Sequence, residues 1–287
     1  MQVIDGRKIS GNILEDIKKE VANLSFVPVF CDVLVGEDPS SLQYVEMKKR
    51  KAEFVGISFH KANFPSTITT EELIREIKIL NNVQNMCGII IQLPLPEHID
   101  RQMVLDSIDS KLDVDCLGKI NSEKFYSNYD AEKDIAYPTA LACMTILDSF
   151  DFTKNSPAKL EERKIVVLGQ GVLVGRPVTA LLKYRGLSPF VVTSKTESKE
   201  NVIKNADIVI SGIGKGKYIT GNMLKSGAIV IDAGTSESEG SIVGDVDTES
   251  LNNIAGFISP VPGGVGPVTV AMLLKNVLKV AKNLSHE

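Results

Sequence analysis

The chain has 287 residues, 43% of them apolar and 24% charged, with a formal net charge of −4. That length accommodates two domains of ordinary size, the composition is that of a soluble globular protein, and the acidic balance offers no basic footprint for nucleic acid. No apolar run approaches the roughly 20 residues of a membrane helix, and the N-terminus, Met1-Gln-Val-Ile-Asp-Gly-Arg7, lacks the apolar core of a secretory signal, so neither nucleic acid nor membrane is expected as a partner and a cytoplasmic location follows.

Residues 5–21 carry Ile9, Ile13, Ile17 and Val21 at helical spacing and predict an amphipathic helix. Residues 28–35 form a continuous apolar run, after which Asp38 can cap a helix whose first residue is Pro39 and which bears Ser41, Tyr44, Lys48 and Lys51. A strand over 57–64, a capping box at Thr69 and Glu72, a helix over 71–80 and a proline-broken apolar strand over 88–96 follow. The polar stretch 151–163 separates this half from the next.

The second half opens on a buried strand, 164–168, that runs into Gly169, Gly171 and Gly175 and then a helix ending near Gly186. Such a turn bends tightly enough to approach a pyrophosphate and points free N–H groups at it, although the spacing G-x-G-x-x-x-G is one residue longer than the commonest dinucleotide fingerprint. Further strands over 189–193, 207–213 and 228–233, two of them ending in the tips Gly212-Ile-Gly214 and Asp232-Ala-Gly234, make a nucleotide cofactor the leading reading. After the Gly/Pro-rich loop 260–267, a helix over 268–284 is expected to return to the first domain.

The fold class expected is α/β: two α/β domains flanking a cleft, the second a Rossmann-like doubly wound parallel sheet. Residues 1–140, completed by the C-terminal helix 268–287, would form the substrate domain and 141–267 the dinucleotide-binding domain.

Tyr44 and Lys48 share a helix face, which is either an acid/base couple in a cleft or a solvated lysine face. A short-chain dehydrogenase pair is disfavoured, because that Tyr-x-x-x-Lys follows its glycine turn and this one precedes it. Gln92 ends an apolar strand, its amide either used by the site or merely satisfied there. Asp113 and Asp115 could cap a turn, bind a metal, or accept two hydrogen bonds from a heterocycle edge. Metal is the weakest of these: Cys31, Cys87, Cys116 and Cys143 are widely spaced, and His60, His98 and His286 are isolated.

Tyr44-Val-Glu-Met-Lys48, the Gly88–Pro96 block with its Gln-Leu-Pro-Leu-Pro, Asp113-Val-Asp115, Val174-Gly-Arg-Pro177, Gly244-Asp-Val-Asp247 and Pro260-Val-Pro-Gly-Gly-Val-Gly-Pro267 occur in this order. Over nearly the whole chain they resemble the bifunctional methylenetetrahydrofolate dehydrogenase/methenyltetrahydrofolate cyclohydrolase family. The resemblance implies oxidation of 5,10-methylenetetrahydrofolate by a nicotinamide coenzyme and hydrolysis of the methenyl product to 10-formyltetrahydrofolate, in one-carbon metabolism that feeds purine biosynthesis. It implies that Lys48 is the acid/base group of the hydrolytic step, that Gln92 orients and tunes it, and that Tyr44 positions the folate. By the same resemblance Asp115 grips the pterin edge, Pro262, Gly263 and Gly264 lie beside the folate, and Gly169, Gln170, Gly171, Ser194 and Thr235 hold the coenzyme. A homodimer is implied as well.

Some residues depart from the family. Gly169-Gln-Gly171 stands where the family usually has Gly-Arg-Ser, and Thr193-Ser194 where it has His-Ser. The missing arginine weakens the case for NADP, yet no acidic residue ends the second strand as NAD sites prefer, and Ser194 and Lys195 can contact a phosphate. NADP is the coenzyme expected, with NAD left open. Cys116 replaces a family glycine and Ala136-Tyr-Pro138-Thr-Ala140 departs from Cys-Thr-Pro-x-Gly. Two rivals remain: a two-domain amino-acid or hydroxy-acid dehydrogenase would leave the proline-rich blocks unexplained, and a silent nucleotide or folate sensor would have no use for the acid/base lysine.

Overall fold

Short β-branched runs that alternate with helices favour parallel strands joined by helical crossovers, because each helix then covers a face of the sheet. A computed structural model describes residues 1–150, 159–238, 241–251 and 254–285. Of the expected separator 151–163, residues 151–158 lie outside the described residues, as does His286. The chain divides into two compact units, Gly11–Pro138 with Val270–Glu287, and Met1–Ser10 with Thr139–Thr269.

The chain begins with β1 (Gln2–Val3), enters the first of these units within α1 (Gly6–Val21), and continues there with β2 (Val29–Val35), α2 (Pro39–Phe54), β3 (Ser58–Phe64), α3 (Thr70–Leu80) and β4 (Met86–Ile91). The three strands form a parallel sheet in the order β3-β2-β4. Both expected caps are made: Asp38 accepts from the Ser41 N–H, and Thr69 and Glu72 bond reciprocally. All six residues of β4 are buried. Beyond β4 the chain forms α4 (Arg101–Asp106) and α5 (Lys119–Asn128). Between them the Ile89 N–H donates to the Leu112 carbonyl at 2.8 Å, so the loop with Asp113 and Asp115 runs along the edge of β4. Gly88 permits the approach, since a Cβ there would lie 2.9 Å from the Val114 side chain. The C-terminal stretch from Val270 packs in this unit: Asn276, 2% exposed, donates to the carbonyls of Val114 and Ala136, both at 2.8 Å.

The other unit comprises α6 (Pro138–Asp148), β5 (Ile165–Leu168), α7 (Gly175–Tyr184), β6 (Phe190–Val192), α8 (Lys199–Lys204), β7 (Ile208–Ser211), β8 (Ile229–Asp232), a small antiparallel pair β9 (Ser236–Ser238) and β10 (Ser241–Val243), β11 (Phe257–Ser259) and the start of α9 (Val265–Leu284). Its sheet is parallel, in the order β1-β11-β8-β7-β5-β6. The core beneath it includes Val166, Leu168, Val209, Val230, Leu251 and Ile258. From β5 the chain steps to β6 on one side and then crosses to β7 on the other, so the carboxyl ends of β5 and β7 flank the point where strand order reverses. Ligands of open parallel sheets bind at that point.

The first ten residues differ from the expected division. They group with the second sheet, where β1 pairs with β11 and the N–H groups of Gln2 and Ile4 donate to Gly256 and Ile258 carbonyls at 2.8 Å. A two-residue edge strand has no periodicity from which to be read.

Candidate active site

Helix α2 buries a face made of Ser41, Val45, Lys48 and Ala52. Lys48 is 4% exposed, so the solvated-face reading does not hold. Its Nζ donates to Gln92 Oε1 at 2.7 Å, lies 2.6 Å from Asp32 Oδ2, and sits 5.9 Å from the centroid of the Tyr44 ring. Gln92 is held from both sides: its backbone N–H continues the sheet to the Val33 carbonyl at 2.8 Å, and its side-chain Nε2 donates to the Leu93 carbonyl at 2.8 Å. That bond turns the amide oxygen toward the lysine. Burial pushes the Tyr44 hydroxyl above its ordinary pKa.

The apolar run 28–35 conceals a charged residue. Asp32 lies in the middle of β2, is 0% exposed, and apart from the Lys48 contact neither of its oxygens has a hydrogen-bond partner among the described residues. Burial raises its pKa against the lowering effects of Lys48 and of Lys61, its register partner on β3. An acid inside an otherwise apolar strand was the available sequence signal, since buried carboxylates are rare unless paired.

The two aspartates of the β4-edge loop part company. Asp113, 2% exposed, accepts from the N–H groups of Leu117 at 3.2 Å and Gly118 at 2.9 Å, and so caps the turn. Asp115 is half-buried and its pKa is pushed up to about 7, first by burial and then by the charge of Asp113, with Lys48 opposing. The intervening turn takes Cys116 through φ +61°, a conformation glycine adopts far more readily.

In the other unit, Gly169 has φ +90°. A Cβ on Gly175 would fall 2.1 Å from the Gly169 carbonyl oxygen, whereas one on Gly171 would meet only the Gly212 oxygen, at 4.0 Å. The turn is therefore closed at its base and open at Gly171, ahead of the N-terminus of α7, as a phosphate cradle requires. Gln170 folds back onto this turn, with Nε2 donating to the Gly169 carbonyl at 2.8 Å and to Thr179 Oγ1 at 3.2 Å. Ser194 and Lys195 are exposed just beyond β6, in a turn fixed by the Thr193 N–H donating to Thr196 Oγ1 at 2.9 Å. Thr235 is exposed beyond β8. At Pro262, Gly263 and Gly264 the chain doubles back: the Gly264 N–H donates to the Pro260 carbonyl at 2.7 Å, and a Cβ on Gly264 would meet that oxygen at 2.5 Å.

Thus Tyr44, Lys48, Gln92 and Asp115 belong to one unit, and Gly169, Gln170, Gly171, Ser194, Thr235, Pro262, Gly263 and Gly264 to the other. Asp32 lies unmarked in its apolar run, and the buried pair Asp232 and Asp245, which brace the tips of the second sheet, stand in a strand tip and a family block that assign their side chains no role.

Residues 4–115 match the model of the tetrahydrofolate dehydrogenase/cyclohydrolase catalytic domain, and residues 138–285 that of the same family's NAD(P)-binding domain. The chain belongs to the tetrahydrofolate dehydrogenase/cyclohydrolase family. This membership is consistent throughout its length. The bifunctional protein FolD of Nautilia profundicola is 40% identical over 291 residues, spanning 100% of this chain and 99% of that protein. The crystal structure of the bifunctional FolD dehydrogenase/cyclohydrolase of Campylobacter jejuni superimposes with a TM-score of 0.90 at 35% identity, covering 99% of both chains. The FolD of Trypanosoma brucei, complexed with NADP and an inhibitor, gives 0.90 at 34% identity, covering 100% of this chain and 99% of that one. Among the described residues no helix of this family member is long and apolar enough to cross a membrane.

Proposed function

We infer that this chain oxidises 5,10-methylenetetrahydrofolate with a nicotinamide coenzyme and hydrolyses the methenyl product to 10-formyltetrahydrofolate. The observation that carries the hydrolytic half is the buried amine of Lys48 held between Gln92 and Asp32. A lysine placed so has its Nζ fixed in one position out of bulk water, which is what a general acid/base group needs.

In this reading Tyr44 positions the folate, Gln92 orients Lys48, and Asp115 accepts two hydrogen bonds from the amino-pyrimidinone edge of the pterin. Gly169, Gly171 and the N-terminus of α7 fit a pyrophosphate, since the turn leaves room only where backbone faces outward. When bound, the coenzyme supplies the hydride acceptor, and the protein contributes orientation. NADP is the coenzyme proposed: Ser194 and Lys195 stand exposed at the end of β6, where they can meet a 2′-phosphate, and no acidic side chain occupies that position. Gln170 is turned onto its own loop and contributes shape rather than charge. A homodimer, action in the cytoplasm, and supply of formyl groups to purine synthesis complete the proposal.

The test is a paired assay with 5,10-methylenetetrahydrofolate and either NADP or NAD, following reduced nicotinamide and methenyl product separately. Nicotinamide reduction without methenyl accumulation, faster with NADP, is the expected result. No turnover with either coenzyme would favour a silent sensor, and faster turnover with NAD would remove the role given to Ser194 and Lys195.

A pH dependence follows from Asp115. With its folded pKa near 7, the carboxyl is a double acceptor above that pH and loses that capacity below it. The KM for methylenetetrahydrofolate is expected to rise as pH falls below 7, approaching tenfold per unit. Asp115→Asn should bind weakly at all pH values and flatten this dependence, which initial-rate measurements across the range would reveal.

A further inference from the structure

Asp32 has no place in the roles given so far, yet it is the most completely buried acid beside the reacting lysine, with Oδ2 2.6 Å from Nζ and 0% exposure. A carboxylate in the middle of a central strand is costly to bury, and among the described residues its partner is a single ammonium rather than a ring of backbone donors. Structural aspartates in this chain look different. Asp113 and Asp245 each accept backbone N–H groups that they hold in a turn or loop. Asp32 braces no backbone among the described residues, so its one evident partner is Lys48.

We propose that Asp32 is a positioning residue for the hydrolytic step, fixing Lys48 Nζ and receiving the proton that lets the lysine act as a base while it is an ammonium. This rests on the reading of Lys48 as the proton-transfer group. Water's O–H bond breaks and its proton forms an N–H bond on Nζ as one of the ammonium's own protons passes to Asp32 Oδ2. The hydroxide oxygen forms the new C–O bond at the methenyl carbon, whose π pair withdraws onto nitrogen. The carbinol O–H proton is then lost and N5 gains a proton as the C–N5 bond breaks. Of the two water protons one ends on N5, and the other leaves for solvent as Asp32 and Lys48 return to their starting state.

The surroundings favour a proton moving between these two groups rather than elsewhere. Lys61 faces Asp32 from β3, Tyr44 faces Lys48 from α2, Gln92 is neutral, and Asp115 senses the charges of both Lys48 and Asp32. Cys31, next in the strand, has its thiol pushed up to about 12 by burial and by Asp32, so it stays protonated. Burial raises the proton affinity of Asp32, which makes it a competent acceptor.

The test follows kcat for methenyltetrahydrofolate hydrolysis against pH, at saturating substrate, in the wild type, Asp32→Asn and Lys48→Met, with methylenetetrahydrofolate oxidation measured alongside. In the wild type the acidic limb reports loss of the carboxylate. Without Asp32 the ammonium must first give its proton to solvent, so the limb should move to higher pH. In Asp32→Asn the neutral-pH kcat should fall about 10²-fold, with KM for the methenyl substrate and the oxidation rate little changed. An acidic limb that stays in place, or moves to lower pH as loss of an ion-pairing charge alone would cause, overturns the proposal. If Lys48→Met still hydrolyses the substrate, the reading beneath it fails as well. Asp32→Val, apolar within an apolar strand, provides the same profile should the asparagine variant not fold.

Discussion

Lys48→Met is expected to lower kcat for methenyltetrahydrofolate hydrolysis by roughly 10²- to 10⁴-fold, the usual span for loss of a positioned acid/base group. Nicotinamide reduction should continue, because hydride transfer depends on how the substrate and coenzyme are oriented rather than on proton transfer at Nζ. The methenyl product should then accumulate where the wild type shows none, and separate recording of the two products reads both effects in one experiment. A variant that hydrolyses normally would remove Lys48 from the mechanism. The substitution also strips from Asp32 the only counter-ion at hydrogen-bond range among the described residues, so the protein should lose stability unless that carboxyl takes up a proton. The double variant Lys48→Met with Asp32→Val removes both charges together and should unfold at a higher temperature than Lys48→Met alone, which separates the loss of chemistry from the loss of fold.

How far this site was legible depends on the range of the interactions that build it. The glycine turn after β5 could be read because its geometry is local: Gly169 needs a positive φ, and Gly175 must admit a carbonyl at its base. The caps of α2 and α3 were equally local. The spacing of Tyr44 and Lys48 defines a shared helix face but says nothing of what that face meets, so on spacing alone two readings of Lys48 fit. Its partners come from Asp32 on β2 and from Gln92, 44 residues along the chain, and the sheet brings them together. Asp32 was lost in an apolar run because pattern reading averages over a strand. One acid among apolar residues changes the average little, although burial makes it the strand's most consequential side chain. The family blocks marked Gln92 and Asp115, but they could not say that Asp113 caps the turn while Asp115 stays half-buried with a raised pKa.

The same limit applies to Asp232 and Asp245 in the second unit, whose motifs are visible in the sequence but whose long-range partners are not, and they lead to the largest expected loss of stability. Asp245, 0% exposed, accepts from Ser211 Oγ at 2.7 Å and from the N–H groups of Ile213 and Lys215 at 2.8 Å, so it ties down the chain leaving β7. Asp232, at the end of β8, accepts from the N–H groups of Gly234 at 3.0 Å, Asp245 at 3.1 Å and Val246 at 2.9 Å. The glycines are there for the carboxylates: a Cβ on Gly234 would fall 2.1 Å from Asp245 Oδ1, and one on Gly244 2.1 Å from Asp232 Oδ2. Asp245→Ala would leave three donors beneath the tip Gly212-Ile213-Gly214 without their acceptor, at about 1–3 kcal/mol for each that water cannot reach. Relaxation recovers part of that sum, so a loss of about 3–5 kcal/mol is expected, as for other broken buried charge networks. Thermal unfolding should show a transition lowered by roughly 10 °C for a unit of this size. Asp245→Asn keeps one acceptor oxygen and should fall between the two. Because the tip sits beside the reversal of strand order, the KM for the coenzyme should rise in both variants while the KM for methenyltetrahydrofolate hydrolysis holds in whatever protein remains folded. A transition unmoved in Asp245→Ala would mean that water replaces the carboxylate at little cost, and that the tip is held by its backbone alone.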